Sequence, residues 1–140
     1  MLVEALDLEL NDSSTLLHFS DLEENHWAYN YIVIAASNGI INGYPEGTFM
    51  PDNSVTYAES MAMILRAMKL EETMSDKSWP LGYINEAMEK GLLESVDYSD
   101  PDLFANRGET AISLFNMISI IEDKENHILN ATYSNENGTI

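Results

Sequence analysis

The chain has 140 residues, 45% of them apolar, and its 24 acidic residues against 6 basic ones give a net charge of −18. This length suits one compact domain with a real core, and the excess of acids argues against binding to nucleic acid or to an anionic membrane surface. The absence of cysteine excludes disulfides, thiolate zinc sites and cysteine nucleophiles. No apolar run approaches the roughly 20 residues that a membrane-spanning helix needs.

The N-terminal segment, residues 1–10, has no basic region typical of a secretory signal. Residues 1–9 instead align with residues 63–71, so we interpret them as the end of the second helix of a preceding unit whose front half lies outside this chain. The chain would then be an internal piece of a larger protein. The apolar face of such a half-unit would lack its neighbour, which predicts some self-association.

The first complete unit is predicted to be a helix, a loop and a second helix. The first helix runs from about Trp27 to Asn38 and ends at Gly39, since glycine adopts the left-handed conformation of a helix C-terminus without a Cβ clash. Residues 43–49 carry turn chemistry. Thr56 and Glu59 have the spacing of a capping box, which begins the second helix.

The same unit then recurs. Residues 79–91 align with residues 27–39, so that a tryptophan starts each copy and a glycine ends it. A second capping box, at Asn106 and Glu109, begins the last helix. Residues 122–140 are polar and aperiodic, and are expected to form a loose tail after one more helical turn.

Several motifs in the first complete unit resemble the S-layer homology repeat. The consensus of that family runs F-x-D, W-A, G-I-I-x-G-Y-x-D-G-x-F-x-P and T-R-A-E. The matching segments are Phe19-Ser20-Asp21, His26-Trp27-Ala28, Gly39-Ile40-Ile41-Asn42-Gly43-Tyr44, Gly47-Thr48-Phe49-Met50-Pro51 and Thr56-Tyr57-Ala58-Glu59. The second unit shows the resemblance more faintly.

The resemblance implies an all-α fold of tandem helix-loop-helix repeats, packed around a central helical bundle with pseudo-threefold symmetry. The first repeat would be incomplete. The implied division is residues 1–18 for the end of a truncated repeat and its linker, 19–72 for one repeat, 73–122 for a divergent repeat, and 123–140 for a polar tail.

The resemblance also implies a cell-surface module that binds secondary cell-wall polymers, often acidic glycans, in grooves between repeats. The family's arginine in T-R-A-E corresponds to Arg107, which would contact the polymer's acidic group. The other expected polymer-binding residues are aromatic residues and members of the glycine-rich loop: Trp27, Trp79, Tyr57, Gly43, Tyr44, Glu46 and Gly47.

The sequence departs from the family pattern at two places. Tyr57 stands where the first complete repeat should carry the arginine, although a tyrosine could stack on a sugar ring. An acidic stretch, residues 94–102, replaces the glycine-rich loop of the second repeat. These departures favour an alternative function, a degenerate scaffold that binds another protein and no polymer.

Individual residues also have alternative roles. Trp27 and Trp79 could pack in the core or provide sugar-stacking platforms. Arg107 could form an ordinary surface ion pair. Glu59 and Glu109 are expected to cap helices, with ligand contact as the alternative.

Catalytic and metal-binding patterns are missing from the sequence. His18, His26 and His127 match no HExxH motif, and no EF-hand loop is present, although a looser surface calcium site stays an alternative. No nucleophile with an adjacent base is evident. We therefore predict a non-catalytic module without a cofactor.

Overall fold

The structure, a computed structural model, describes residues 1–12 and 18–136, with side chains described as far as residue 132. Within these residues there are five α-helices: Leu2–Ala5 (α1), Tyr29–Ser37 (α2), Tyr57–Ala67 (α3), Leu81–Glu89 (α4) and Arg107–Glu136 (α5). A short 3-10 turn, Glu71–Thr73, follows α3. One isolated β-bridge is the sole β-structure of the described residues, and the predicted all-α class is confirmed.

Equivalent helices of the two units end in the same way. Gly39 follows α2 with a φ of +72°, and Gly91 follows α4 with a φ of +79°. The next amide donates back to the last turn of its helix at 2.9 Å, from Ile40 to Ala35 and from Leu92 to Ala87. This is the left-handed helix ending that the positions of the two glycines predict.

The ends of α1 and α3 are also alike. Asp7 and Lys69 both have positive φ, 49° and 56°. The amide that follows each donates to an equivalent carbonyl, from Leu8 to Val3 at 3.0 Å and from Leu70 to Leu65 at 2.9 Å. This likeness supports the alignment of residues 1–9 with 63–71.

The apolar face of the N-terminal segment is covered by its own chain. Val3 is buried with Ala35 and Ile40. Leu2 and Leu6 pack against the cluster around α3. Much of this face is thus packed within the chain, whereas Met1 and Leu10 are exposed, and self-association through the segment stays a prediction.

The main core lies where α3 packs against α4 and α5. Seven residues of α3 are buried, because the apolar residues of that helix recur on every turn. They meet Ile84 and Ala87 of α4 and Leu114 and Met117 of α5. Since Leu65 is fully buried, its truncation to alanine would cost about 2–5 kcal/mol.

Two helix boundaries differ from the predicted ones. The first helix begins at Tyr29 and not at Trp27, because turns precede it and the His26 side chain accepts a hydrogen bond from the Ala28 amide at 3.2 Å. The last helix continues to Glu136, so the loose tail expected after residue 122 is helical over most of its length. Residues 122–132 are nevertheless exposed.

Candidate functional site

An open groove lies between the glycine-rich loop, α3 and the start of the second unit. Its cavity has a volume of about 380 Å³, within the roughly 300–1,000 Å³ typical of small-ligand pockets. Most of its lining is apolar or aromatic. The lining residues are Ile41, Asn42, Gly43, Tyr44, Phe49, Met50, Pro51, Asn53, Ser54, Val55, Glu59, Ala62, Met63, Arg66 and Trp79.

The loop that forms one wall is held by an aspartate from the F-x-D motif. The two Asp21 carboxylate oxygens accept hydrogen bonds from the amides of Phe49, at 2.8 Å, and Met50, at 2.7 Å. The bond from Phe49, with the one from Met50, lowers the pKa of Asp21. The motif therefore acts as a brace that fixes the loop beside α3.

Gly43 has a structural role in this loop. Its φ is +68°, and a Cβ atom there would lie 2.3 Å from a ring carbon of Phe19 and 2.7 Å from the Thr48 carbonyl oxygen. The Tyr44 amide donates to the same carbonyl at 2.8 Å. Glycine is thus required both by backbone conformation and by close packing.

The capping box of α3 also positions the aromatic ring of Tyr44, which lines the groove. One Glu59 oxygen accepts from the Thr56 amide at 2.9 Å, while the Glu59 amide donates to the Thr56 hydroxyl at 3.2 Å. The other carboxylate oxygen accepts from the Tyr44 hydroxyl at 3.1 Å. Burial, together with this hydrogen bond, raises the pKa of Tyr44. Glu59 therefore caps the helix and holds the Tyr44 ring.

Arg66 lines the groove, which the sequence reasoning missed. Its Nε donates to Glu71 at 3.0 Å, and its guanidinium lies 5.9 Å from the centroid of the Tyr83 ring. Burial alone would raise the pKa of Glu71, but hydrogen bonds from Tyr83 and Arg66 lower it overall. The composition could have drawn attention to Arg66, because it is one of just six basic residues in the chain.

Both tryptophans are exposed, and the core-packing interpretation is wrong. Trp79 is 55% exposed and Trp27 is 79% exposed. Trp79 precedes α4, lines the groove and makes an edge contact with Tyr83 at a centroid distance of 5.5 Å. Trp27 contacts His26 and lies outside the groove lining.

Tyr57 does not reach the groove. It is 4% exposed, and its ring packs edge-on against Tyr98 at 5.4 Å. Its hydroxyl donates to the Asp97 carbonyl at 3.3 Å, and hydrogen bonding with Glu109, with burial, raises its pKa to about 12. The expectation that Tyr57 stacks on a sugar is therefore corrected, because the second unit covers its ring.

The backbone around Tyr57 joins the two units. The amides of Tyr57 and Ala58 donate to the carbonyls of Leu103, at 2.9 Å, and Pro101, at 3.1 Å. The amide of Ala105 donates to Val55 at 2.9 Å. The donors at the N-terminus of α3 are thus used within the chain.

Arg107 is exposed at the start of α5 and is not among the residues that line the groove. The second capping box is formed beside it, with Asn106 and Glu109 bonded reciprocally at 2.9 and 3.1 Å. Glu46 and Gly47 are exposed in the loop but also lie outside the lining. The structure therefore brings together Gly43, Tyr44 and Trp79 of the predicted polymer-binding residues.

The described part of the chain contains no helix with the length and apolar character needed to cross a membrane. In the same residues, no three histidine, aspartate or glutamate side chains cluster in a way that could hold a metal ion.

These features define an all-α module with an aromatic groove between the glycine-rich loop, α3 and Trp79. Residues 18–59 match the family model of the S-layer homology domain. The chain is 30% identical over 112 residues to a cell surface protein of Thermoanaerobacter kivui, covering 76% of this chain and 14% of that protein.

Two further relatives show the same pattern. The middle cell wall protein of Brevibacillus brevis is 30% identical over 102 residues, which cover 73% of this chain and 9% of that protein. The cellulosome-anchoring protein of Acetivibrio thermocellus is 32% identical over 88 residues, which cover 54% of this chain and 20% of that protein. No solved structure matches the chain.

The chain belongs to the S-layer homology family, and its place is the cell surface. It spans no more than 20% of the length of the three relatives described above.

Proposed function

We propose that this chain is a non-catalytic anchoring module that holds a larger protein on the cell wall by binding wall polysaccharide in the groove. The polymer implied by the family resemblance is a secondary cell-wall glycan that carries acidic groups. The observation that carries the proposal is the exposed Trp79 ring facing a cavity of sugar-sized dimensions beside Tyr44. Aromatic faces with a polar rim suit the alternating apolar and hydroxyl surfaces of a sugar ring.

Trp79 is the residue to substitute first. We expect Trp79→Ala to abolish retention on purified cell walls of Thermoanaerobacter kivui in a pull-down assay, because Trp79 has the highest fractional exposure among the large hydrophobic residues of the groove lining. Since the side chain is 55% exposed, the change should cost less than about 1 kcal/mol of folding stability.

Trp27→Ala and Arg107→Ala are the matched controls. Both residues are exposed but lie outside the groove lining, so both variants should be retained like the wild type. Equal retention of Trp79→Ala would contradict the groove as the binding site. Loss of retention with Arg107→Ala would instead restore the role that the family resemblance implies for that arginine.

A second candidate function is a degenerate repeat that binds another protein. The burial of Tyr57 favours this alternative. Tyr57 occupies the position of the family's arginine, and its side chain packs at the junction between the two units. A wild-type chain that binds no wall preparation but co-purifies with a defined surface protein would support this alternative.

A further inference from the structure

Two Asn-Gly pairs lie close together in the first complete unit, at Asn38-Gly39 and Asn42-Gly43. An asparagine that precedes glycine is chemically labile in water, because glycine has no side chain to keep its backbone nitrogen away from the asparagine Cγ. Both asparagines are exposed, and the two glycines have similar positive φ values, +72° and +68°. The two pairs therefore match in local sequence and in glycine conformation, and they differ in their hydrogen bonds.

The first pair is restrained at both of its reacting groups. The Asn38 Nδ2 donates to the carbonyls of Glu9 and Ile34, each at 2.8 Å. The Gly39 amide donates to the Ala36 carbonyl at 3.0 Å. Attack of the Gly39 nitrogen on the Asn38 Cγ would break all three of these hydrogen bonds.

The second pair lacks such restraints. Asn42 and Gly43 lie in the irregular segment after α2. Within the described part of the chain, neither the Asn42 side-chain amide nor the Gly43 backbone amide has a hydrogen-bond partner. The Asn42 side chain is therefore free to turn its Cγ towards the Gly43 nitrogen.

We propose that Asn42 is a site of spontaneous deamidation, whereas the fold protects Asn38. The Gly43 nitrogen, after giving its proton to hydroxide, attacks the Asn42 Cγ. A bond forms between these two atoms, the bond from Cγ to Nδ2 breaks, and Nδ2 leaves as ammonia with a proton from water. Water then opens the cyclic imide at either of its carbonyls, giving aspartate or isoaspartate. The net reaction consumes one water, releases one ammonia and transfers no electrons.

Isoaspartate at position 42 would disturb the close packing of the next residue. Its main chain runs through the former side-chain carbon, so the backbone before Gly43 becomes one carbon longer. Gly43 has no room to move, since even an added Cβ would lie 2.3 Å from a ring carbon of Phe19 and 2.7 Å from the Thr48 carbonyl oxygen. Either product also adds a carboxylate to the lining that contains Glu59. Deamidation should therefore loosen the loop and make the groove more acidic, whether or not the groove binds a polymer.

Peptide mapping by mass spectrometry follows the reaction in the folded wild-type chain, kept in mildly alkaline buffer where hydroxide can take the amide proton. We expect Asn42 to deamidate at least about tenfold faster than Asn38, because three hydrogen bonds must break before Asn38 reacts. A smaller ratio overturns the inference. The peptide with Asn137, whose Asn-Gly pair lies outside the described residues, is measured separately.

The same chain unfolded in guanidinium chloride is the first control. Unfolding removes the hydrogen bonds of Asn38 but leaves both Asn-Gly sequences intact, so the two deamidation rates should converge. A ratio as large in the unfolded chain as in the folded one would mean that local sequence sets the difference, and it would overturn the protection by the fold. Asn42→Gln is the second control, since its longer side chain would have to close a six-membered ring. That variant should stay unmodified at position 42, and modification there at the wild-type rate would contradict the imide route.

The effect on the loop is measured with Asn42→Asp, which carries the new charge on a backbone of normal length. The isoaspartate fraction of the aged wild type should melt below Asn42→Asp, and Asn42→Asp should melt close to the fresh wild type. Equal melting temperatures of the isoaspartate fraction and Asn42→Asp would overturn the loosening that the packing of Gly43 predicts.

Discussion

Tyr57 stands where the S-layer homology motif has an arginine, and this tyrosine has a structural role. A tyrosine hydroxyl beside Glu109 and the Asp97 carbonyl ties the N-terminus of α3 to the second unit. Its ring is shielded by Tyr98. The position therefore contributes to the junction between units and lies outside the groove lining.

We expect Tyr57→Phe to lower the free energy of unfolding by roughly 0.5–1.5 kcal/mol, because it removes the part-buried hydrogen bond from the hydroxyl to the Asp97 carbonyl. Denaturant unfolding monitored by circular dichroism measures this change. Tyr31→Phe is the matched control, since the Tyr31 hydroxyl also donates a hydrogen bond, to Glu4, but at the surface. The control should change the free energy by less than about 0.5 kcal/mol.

The same tyrosine should make the fold sensitive to alkali. Its pKa is raised from 10.0 to about 12, so folding favours the protonated hydroxyl. The stabilising contribution is complete below pH 10.0 and is lost as the pH rises to about 12. Wild type and Tyr57→Phe should therefore converge in stability over this interval, and a constant difference would contradict the assignment.

The contribution of Asp21 to folding stability should have the opposite dependence on pH. Its pKa lies below the ordinary value of 3.8 because the amides of Phe49 and Met50 bind the charged form. Its contribution is complete above pH 3.8 and is lost as the pH falls through the lowered pKa. Asp21→Asn should melt below the wild type at neutral pH, and the difference should shrink in acid.

Glu46→Gln is the control for this measurement, because Glu46 is an exposed acid of the same loop. Its melting temperature should follow that of the wild type across the acid range. If Asp21→Asn kept a constant offset from the wild type below pH 3.8, the carboxylate brace would be the wrong explanation.

At the scale of elements, the loop between α2 and α3 decides the shape of the groove. Gly43 and Gly47 both have positive φ, but only Gly43 lines the groove and lies against Phe19. Substitutions at the two glycines therefore distinguish the free-energy cost of backbone strain from that of close packing.

We expect Gly47→Ala to lower the free energy of unfolding by about 1–2 kcal/mol, from backbone strain alone. Gly43→Ala should cost about 1–3 kcal/mol more, because its Cβ would overlap the Phe19 ring. Denaturant unfolding measures both changes, and the wall pull-down should show reduced retention for Gly43→Ala only. Equal stability of the two variants would contradict the packing role of Gly43.

At the scale of the whole molecule, the core is concentrated around α3 and the first half of α5. Leu114 and Met117 are buried, whereas residues 122–132 are exposed along the second half of the same helix. Hydrophobic stabilisation is proportional to the apolar area removed from water, so the exposed half contributes little to folding.

We expect deletion of residues 123–140 to reduce helical circular dichroism but to change the melting temperature by less than about 2 °C. A longer deletion that begins at Leu114 should prevent folding, since it removes two buried side chains of the core. A large loss of stability on the shorter deletion would mean that the second half of α5 has a stabilising partner.

The sequence by itself determined the repeated pattern, the two capping boxes, the two glycine helix endings and the family. Two local signals mark the helix termini: a glycine just after the C-terminus, and a threonine or asparagine three residues before a glutamate at the N-terminus. Both depend on backbone geometry within a few residues, so their spacing in the sequence is enough to recognise them. The two capping boxes and the two glycine endings lie where that spacing predicts them. The residue-by-residue match to the S-layer homology motif rests on the same local signals.

The tertiary structure decided which side chains reach the groove. Tyr57 is covered by the second unit, Trp79 is left exposed, and Arg66 enters the lining from the last turn of α3. These outcomes depend on how elements distant in sequence pack over one another. A side chain's exposure is set by the neighbour that covers it, and local periodicity carries no information about that neighbour.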